Sequence, residues 1–197
     1  MDRWIKLALT AGCAVLTLAG PEAREGRPPL DAVLESGKVT QPPMGYVQFC
    51  RDFPEDCRTG PRAARVITLT KPRWQELDRI NRAVNRAVVP ATDQELYHVP
   101  ERWSYPVAKG DCEDYVILKR KMLMRHGWPE EALLITVVRD RRGEGHAVLT
   151  VRTNRGDFIL DNQAEDIRTW RDTGYKFVKR QAEWDPTVWV SLTPPSS

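Results

Sequence analysis

Histidine is scarce in this chain: 197 residues hold three of them, and only four cysteines. Any chemistry that needs an imidazole or a thiol therefore rests on few positions. Lys and Arg number 30 against 27 Asp and Glu, the two signs are interleaved, and no basic block or aromatic-basic motif is present. That argues against a nucleic-acid partner. No internal repeat occurs, which excludes a solenoid. The apolar run near the start, Leu7 to Ala19, falls short of the roughly 20 residues that cross a bilayer. At this length the expectation is one domain with a real core, plus extensions.

Arg3 and Lys6 stand before that run and small and polar residues after it, the plan of a secretory signal cleaved near Ala19 or Ala23. Cys13 follows small residues, as a lipidated cysteine does. Thr10 stands where leucine is usual, however, and the apolar run continues past Cys13. Residues 1–23 are read as the signal, and 44–197 as the folded domain. Between them, residues 24–43 are rich in Pro, Gly and charge and read as a flexible leader.

In an exported protein the spacing of Cys50 and Cys57 predicts a disulfide. Closing so short a loop stabilises the fold by about 2.5 kcal/mol through chain entropy. No other cysteine lies near the pair and His98 is distant in sequence, so a metal site there is not expected.

Residues 65–69 predict a short strand, after which Thr70 and Pro72 open a helix. Its apolar positions are Trp74, Leu77, Ile80, Val84 and Val88, and Pro90 stops it. Residues 91–109, with Tyr97, Trp103 and Tyr105, lack a period and predict a long ordered loop. A second helix over 112–125 would bury Tyr115, Val116, Leu118, Met122 and Leu123. It would turn Lys119, Arg120, Lys121 and Arg125 to solvent, with Gly127 ending it. Strands are predicted at 133–138, 146–151, 158–160, 175–178 and 188–192. Helices first and antiparallel strands afterwards define an α+β domain.

The chemistry concentrates in Gly110-Asp111-Cys112-Glu113-Asp114-Tyr115, where a loop becomes a helix. Backbone N–H groups and the positive end of a helix dipole favour the thiolate, the reactive form of cysteine. A cysteine here is either a small buried residue or a nucleophile, and its companions decide. His126 follows a helix, where a cation suits the negative end, and His98 lies in the irregular loop. His146 begins a strand beside a glycine-containing loop, a place where a side chain faces a cleft. Asp161 ends the run Phe158-Ile159-Leu160 and either begins a turn or orients His146. Pairing about a turn centred near Arg155 and Gly156 puts Asp161 opposite position 150, so contact with His146 needs a stagger.

Gly-Asp-Cys-Glu-Asp-Tyr, then Gly145-His146, then Leu160-Asp161-Asn162, with Phe49-Cys50 and Pro54-Glu55-Asp56-Cys57 upstream, occur in this order. The set resembles the bacterial transglutaminase-like cysteine proteinases, which include the LapG-like periplasmic proteases. The resemblance covers residue 44 to the C-terminus. It implies a papain-like, transglutaminase-type core with the nucleophile helix packed on an antiparallel β-sheet. It also implies Cys112 as nucleophile, His146 as general base and acid, and Asp161 as the group orienting His146. The Cys112 backbone N–H is a natural oxyanion donor, and the indole N–H of Trp103 is the candidate for a second.

Asp111, Glu113 and Asp114 surround the thiol and oppose its ionisation unless something offsets them. They either serve the helix dipole as first-turn acids or bind a hard cation through oxygen. The resemblance implies calcium. It further implies a periplasmic location, a protein substrate such as a large surface adhesin, and an inner-membrane regulatory receptor. Three other outcomes use the same fold: an amine acceptor, giving a transglutaminase; a peptidoglycan amide-processing enzyme; and a binding module without catalysis.

Overall fold

The computed structural model describes residues 32–58, 60 and 63–192. The signal segment and Cys13 lie outside the described residues. In chain order the elements begin with β1 (Ser36–Thr40), α1 (Met44–Asp52), α2 (Lys71–Ala87), β2 (Val89–Pro90), α3 (Asp93–Tyr97) and β3 (Lys109–Gly110). They continue with α4 (Cys112–Arg125), β4 (Leu133–Arg139), β5 (Gly145–Thr153), β6 (Gly156–Leu160), β7 (Arg168–Thr169), β8 (Lys176–Gln181) and β9 (Trp189–Leu192). Seven strands form one antiparallel sheet in the order β1-β9-β8-β4-β5-β6-β7, and α4 packs chiefly against β5, next to the central strand β4. This is the expected α+β architecture, with the helix that begins at Cys112 on the sheet. No described helix is long and apolar enough to cross a membrane.

The local signals explain the helices. The Thr70 hydroxyl caps α2 by accepting from the Arg73 N–H, Pro72 occupies the first turn, and Leu77, Ile80 and Val84 turn inward. Helix α4 closes at Gly127, whose φ is +77°. There the Trp128 N–H reaches the Leu123 carbonyl and the Gly127 N–H reaches Met124, the paired bonds of a glycine-terminated helix.

Four expectations need correcting. Residues 65–69 form no strand: Ile67 alone makes a parallel bridge, to Thr153, because this stretch exchanges only two backbone bonds with residues 152–154. The proposed leader is ordered in its second half, where β1 pairs with β9 and Leu34 is buried. The segment 91–109 contains α3, nucleated by a capping box between Thr92 and Glu95. Lys119 and Arg120 do not face solvent. Helix α4 is covered by the sheet on one side and α2 on the other, leaving Lys119 at 0% and Arg120 at 6% exposure. Arg120 meets this burial by donating to the Leu133 carbonyl and pairing with Glu130.

Cys50 and Cys57 are bonded to one another, as expected. Asp56, inside that loop, accepts from the Tyr105 hydroxyl and pairs with Lys121 of α4. The covalent loop is thereby fastened to α4.

Candidate active site

Cys112 is the first residue of α4 and the only free cysteine among the described residues. Two groups hold its sulfur: Sγ donates to Glu113 Oε2 at 3.2 Å and accepts from the Ala147 N–H at 3.4 Å. The second contact joins the helix start to the beginning of β5, where His146 is the neighbouring residue. Its ring Nε2 lies 2.9 Å from Asp161 Oδ1, and both side chains are buried. An ionised carboxylate only accepts, so Nε2 carries the proton and Nδ1 is the basic atom.

The stagger that the contact required is a shift of register. Strands β5 and β6 pair Thr153 with Gly156 and Leu149 with Leu160, so the turn is centred between Asn154 and Arg155. Continued one residue, the register sets Asp161 opposite Val148 rather than Thr150. Position 148 shares a face with 146, and the side chain crosses diagonally to the imidazole.

Asp161 also accepts from the Gln163 N–H at 2.9 Å and from the Tyr175 hydroxyl at 2.6 Å. Burial raises its pKa, but the bonds from His146, Tyr175 and Gln163 outweigh it and hold the carboxyl below the ordinary value. Tyr175 stands edge-on to the His146 ring with centroids 5.8 Å apart. Sequence reasoning saw only a strand there and missed this anchor.

The sites meet in a cleft of about 420 Å³ lined by Cys112, His146, Pro43, Glu101, Val137 and Lys179, among others. Trp103 also borders it, but its indole N–H donates to Glu101 Oε1 at 2.9 Å. That bond engages the proposed second oxyanion donor. The Cys112 backbone N–H at the start of α4 has no intrahelical acceptor and stays the oxyanion-donor candidate.

The acidic group differs in membership from the sequence expectation. Oxygens of Asp93, Asp111 and Glu113 lie within 4.8 Å of one another. Asp114 stands apart, with Oδ1 accepting from the Ser104 N–H at 2.8 Å and its side chain folded over Gly110. A Cβ at Gly110 would lie 2.5 Å from Asp114 Oδ2, so the glycine makes room for that fold. Asp93 arrives because β2 and β3 run parallel, pairing Val89 with Lys109 and Pro90 with Gly110. Asp93 then follows one strand as Asp111 follows the other.

Burial raises the pKa of Asp93, Asp111, Glu113 and Asp114, the last to about 7; neighbouring carboxylates add to the rise at Asp93, Glu113 and Asp114, while at Asp111 the bond from Glu113 opposes it. Asp93 Oδ1, Asp111 Oδ1 and Asp114 Oδ2 are buried with no hydrogen-bond partner among the described residues. The thiol is affected in the same direction. Burial first, then the Glu113 carboxylate, push Cys112 well above the ordinary cysteine value, against the pull of the Ala147 N–H. The helix start alone does not deliver a thiolate here.

A thiol, an imidazole and a carboxylate converging between a helix start and a sheet belong to the transglutaminase-like class of thiol enzymes. Residues 36–197 match the pattern of the bacterial transglutaminase-like cysteine proteinases (BTLCP), and the chain belongs to that family. Among solved structures it is similar to calcium-bound LapG of Legionella pneumophila, at 28% identity and a TM-score of 0.50. That match covers 56% of this chain and 66% of the other, so it spans just under two thirds of LapG. Another Legionella pneumophila LapG structure matches at 25% identity and a TM-score of 0.50, covering 59% and 68%. No curated protein sequence gives a significant match.

Proposed function

We propose that the protein is an exported, periplasmic cysteine endopeptidase in which Cys112, His146 and Asp161 act as one unit. The observation that carries this reading is the chain of contacts from the Ala147 N–H on Cys112 Sγ through the adjacent His146 to Asp161. His146 Nδ1 takes the thiol proton as Sγ attacks the amide carbonyl, and Asp161 holds the imidazolium that forms. The Cys112 backbone N–H binds the oxyanion. Collapse of the tetrahedral species breaks the C–N bond, and His146 returns its proton to the leaving amine. Water, deprotonated by the same imidazole, then hydrolyses the thioester and regenerates the thiol.

The acidic group fits a calcium ion. Hard cations take carboxylate oxygens, and Asp93 and Asp111 each present a buried oxygen that no other group satisfies. Asp93, Asp111 and Glu113 would hold the ion. When bound, it supplies positive charge that offsets the carboxylates opposing the Cys112 thiolate. A neighbour being LapG in a calcium-bound form supports the same reading.

The resemblance to LapG-like proteases makes a large surface adhesin the proposed substrate and an inner-membrane receptor the proposed regulator. The intact triad favours catalysis over a binding module. The test is iodoacetamide labelling of the mature protein near neutral pH in calcium, with mass-spectrometric site assignment. Fast modification of Cys112 that collapses in His146→Ala is expected. Labelling no faster than an ordinary thiol, and indifferent to His146, would sink the enzyme reading.

A further inference from the structure

The floor of the cleft is a row of side chains that crosses the sheet away from the thiol. Ala147 of β5, whose N–H meets Cys112 Sγ, pairs with Val137 of β4, and Val137 pairs with Lys179 of β8. Residues paired across neighbouring strands project to the same face, and all three line the cleft. Lys179 therefore ends the row two strands from the point where Sγ meets the sheet. Strands lie about 4.8 Å apart and an extended peptide covers about 3.3 Å per residue, so this reach corresponds to about three or four residues. A substrate lying along the floor with its scissile carbonyl at Sγ brings a side chain at that spacing to Lys179.

Among the described residues lining the cleft, Lys179 is the only lysine or arginine. Its Nζ donates to the Gln41 carbonyl at 2.9 Å, a neutral acceptor that uses one of three N–H donors, and no ion pair reaches it among the described residues. Asp111 and Glu113 belong to the acidic group beside the thiol. The remaining acid of the lining, Glu101, is held at the other end of the wall. Its Oε1 accepts from the Trp103 indole, and a Cβ at Gly45 would lie 2.8 Å from that oxygen. Gly45 and Gln41 flank Pro43, so the wall carries Glu101 at its α1 end and Lys179 at its β1 end. A half-buried cation with no counter-ion, on the floor of a cleft that admits a peptide, rewards a ligand that supplies the anion.

We propose that Lys179 sets the specificity of this cleft by selecting substrates with Asp or Glu at the third or fourth residue from the scissile bond, on the side that runs toward β8. The inference deepens the peptidase reading above and rests on it. Lys179 touches the substrate and not the reacting atoms.

The experiment measures second-order rates of Cys112 alkylation in the mature protein, in calcium-containing buffer at neutral pH, with two families of affinity labels. Iodoacetyl-peptides extend C-terminally from the reactive carbon and peptidyl chloromethyl ketones extend N-terminally; in both, Sγ displaces the halide. Each carries one, two or three glycines followed by Glu, Gln or Lys. In one family the Glu reagent with two or three glycines should react about fivefold faster than its Gln counterpart, the scale of a partly screened ion pair, and the reagents with one glycine should not differ. Lys179→Arg should keep the preference, Lys179→Met should erase it, and Lys179→Glu should turn it toward the Lys reagents. Rates are compared as ratios within each variant, so a change in thiol reactivity cancels, and unfolding cannot imitate a reversal. Equal rates for Glu and Gln in both families, a Glu preference that survives Lys179→Glu, or a wild-type preference for Lys, which would make Glu101 the governing charge, overturns the proposal. If His146→Ala takes plain iodoacetamide as fast as wild type, the peptidase reading falls and this one with it, an outcome that no charged label or Lys179 variant is needed to see.

Discussion

Asp161 accepts from a ring nitrogen, a hydroxyl and a backbone amide while almost wholly buried. Its carboxyl is therefore ionised in the fold at a pH where the unfolded chain is protonated. Stability from this source is present above the unfolded value of about 4 and is lost as pH falls through the lower folded value. Asp161→Asn should consequently be less stable than wild type in denaturant unfolding at pH 7. The gap should shrink toward pH 3; a constant gap would contradict the ionic origin. Tyr175→Phe removes one bond to an ionised group, worth about 1.5–3 kcal/mol, and loosens the carboxylate that steers His146. Cys112 alkylation should fall about tenfold if 1.4 kcal/mol of that reaches the triad, with the far-ultraviolet circular dichroism unchanged. Cys112, His146 and Asp161 were legible because each ends or begins a periodic segment. Asp93 and Tyr175 were not, since nothing in the chain shows that β2 will lie along β3 or that a tyrosine 14 residues from Asp161 turns back to it.

Among the elements, those specified by local chemistry were readable and those specified by partners were not. Thr70, Pro72 and Gly127 mark helix ends by their own conformational demands. The five predicted strands from residue 133 onward correspond to β4, β5, β6, β8 and β9, with ends displaced by a few residues. Residues 65–69 have strand-like composition yet find only a single bridge, while polar, exposed Ser36–Thr40 is a strand because β9 accepts it 150 residues later. The charged face assigned to α4 failed for a similar reason: helical spacing does not say how many neighbours a helix has. The disulfide is an element whose effect is separable. Cys50→Ser with Cys57→Ser should lower unfolding free energy by about 2.5 kcal/mol, measured in urea. His146-dependent alkylation should persist in the folded fraction, because Asp56 still binds Tyr105 and Lys121.

At the scale of the molecule, the cation reading predicts a coupling between ion and fold. Saturating calcium at a hundredfold above its dissociation constant should add about 2.7 kcal/mol, or about 8 °C in Tm for a domain of this size. Asp93→Asn should remove most of that shift in differential scanning calorimetry, and Asp114→Asn should leave it in place. A shift that survives Asp93→Asn would place the ion elsewhere.

The sheet has a further consequence for the order of events as the chain is made. Among the described residues β1 has one strand neighbour, β9, and the two are joined through residues 36–40 and 189–192. The two lie near opposite ends of the described chain, so β1 stays unpaired until β9 is in place. Gln41, at the end of β1, supplies the carbonyl that receives Lys179 Nζ, and Pro43 just beyond it forms one wall of the cleft. The wall is seated when the last strand arrives. A chain stopped short of β9 should carry Cys112, His146 and Asp161 and still lack a finished groove, so closure of the sheet edge is what completes the cleft.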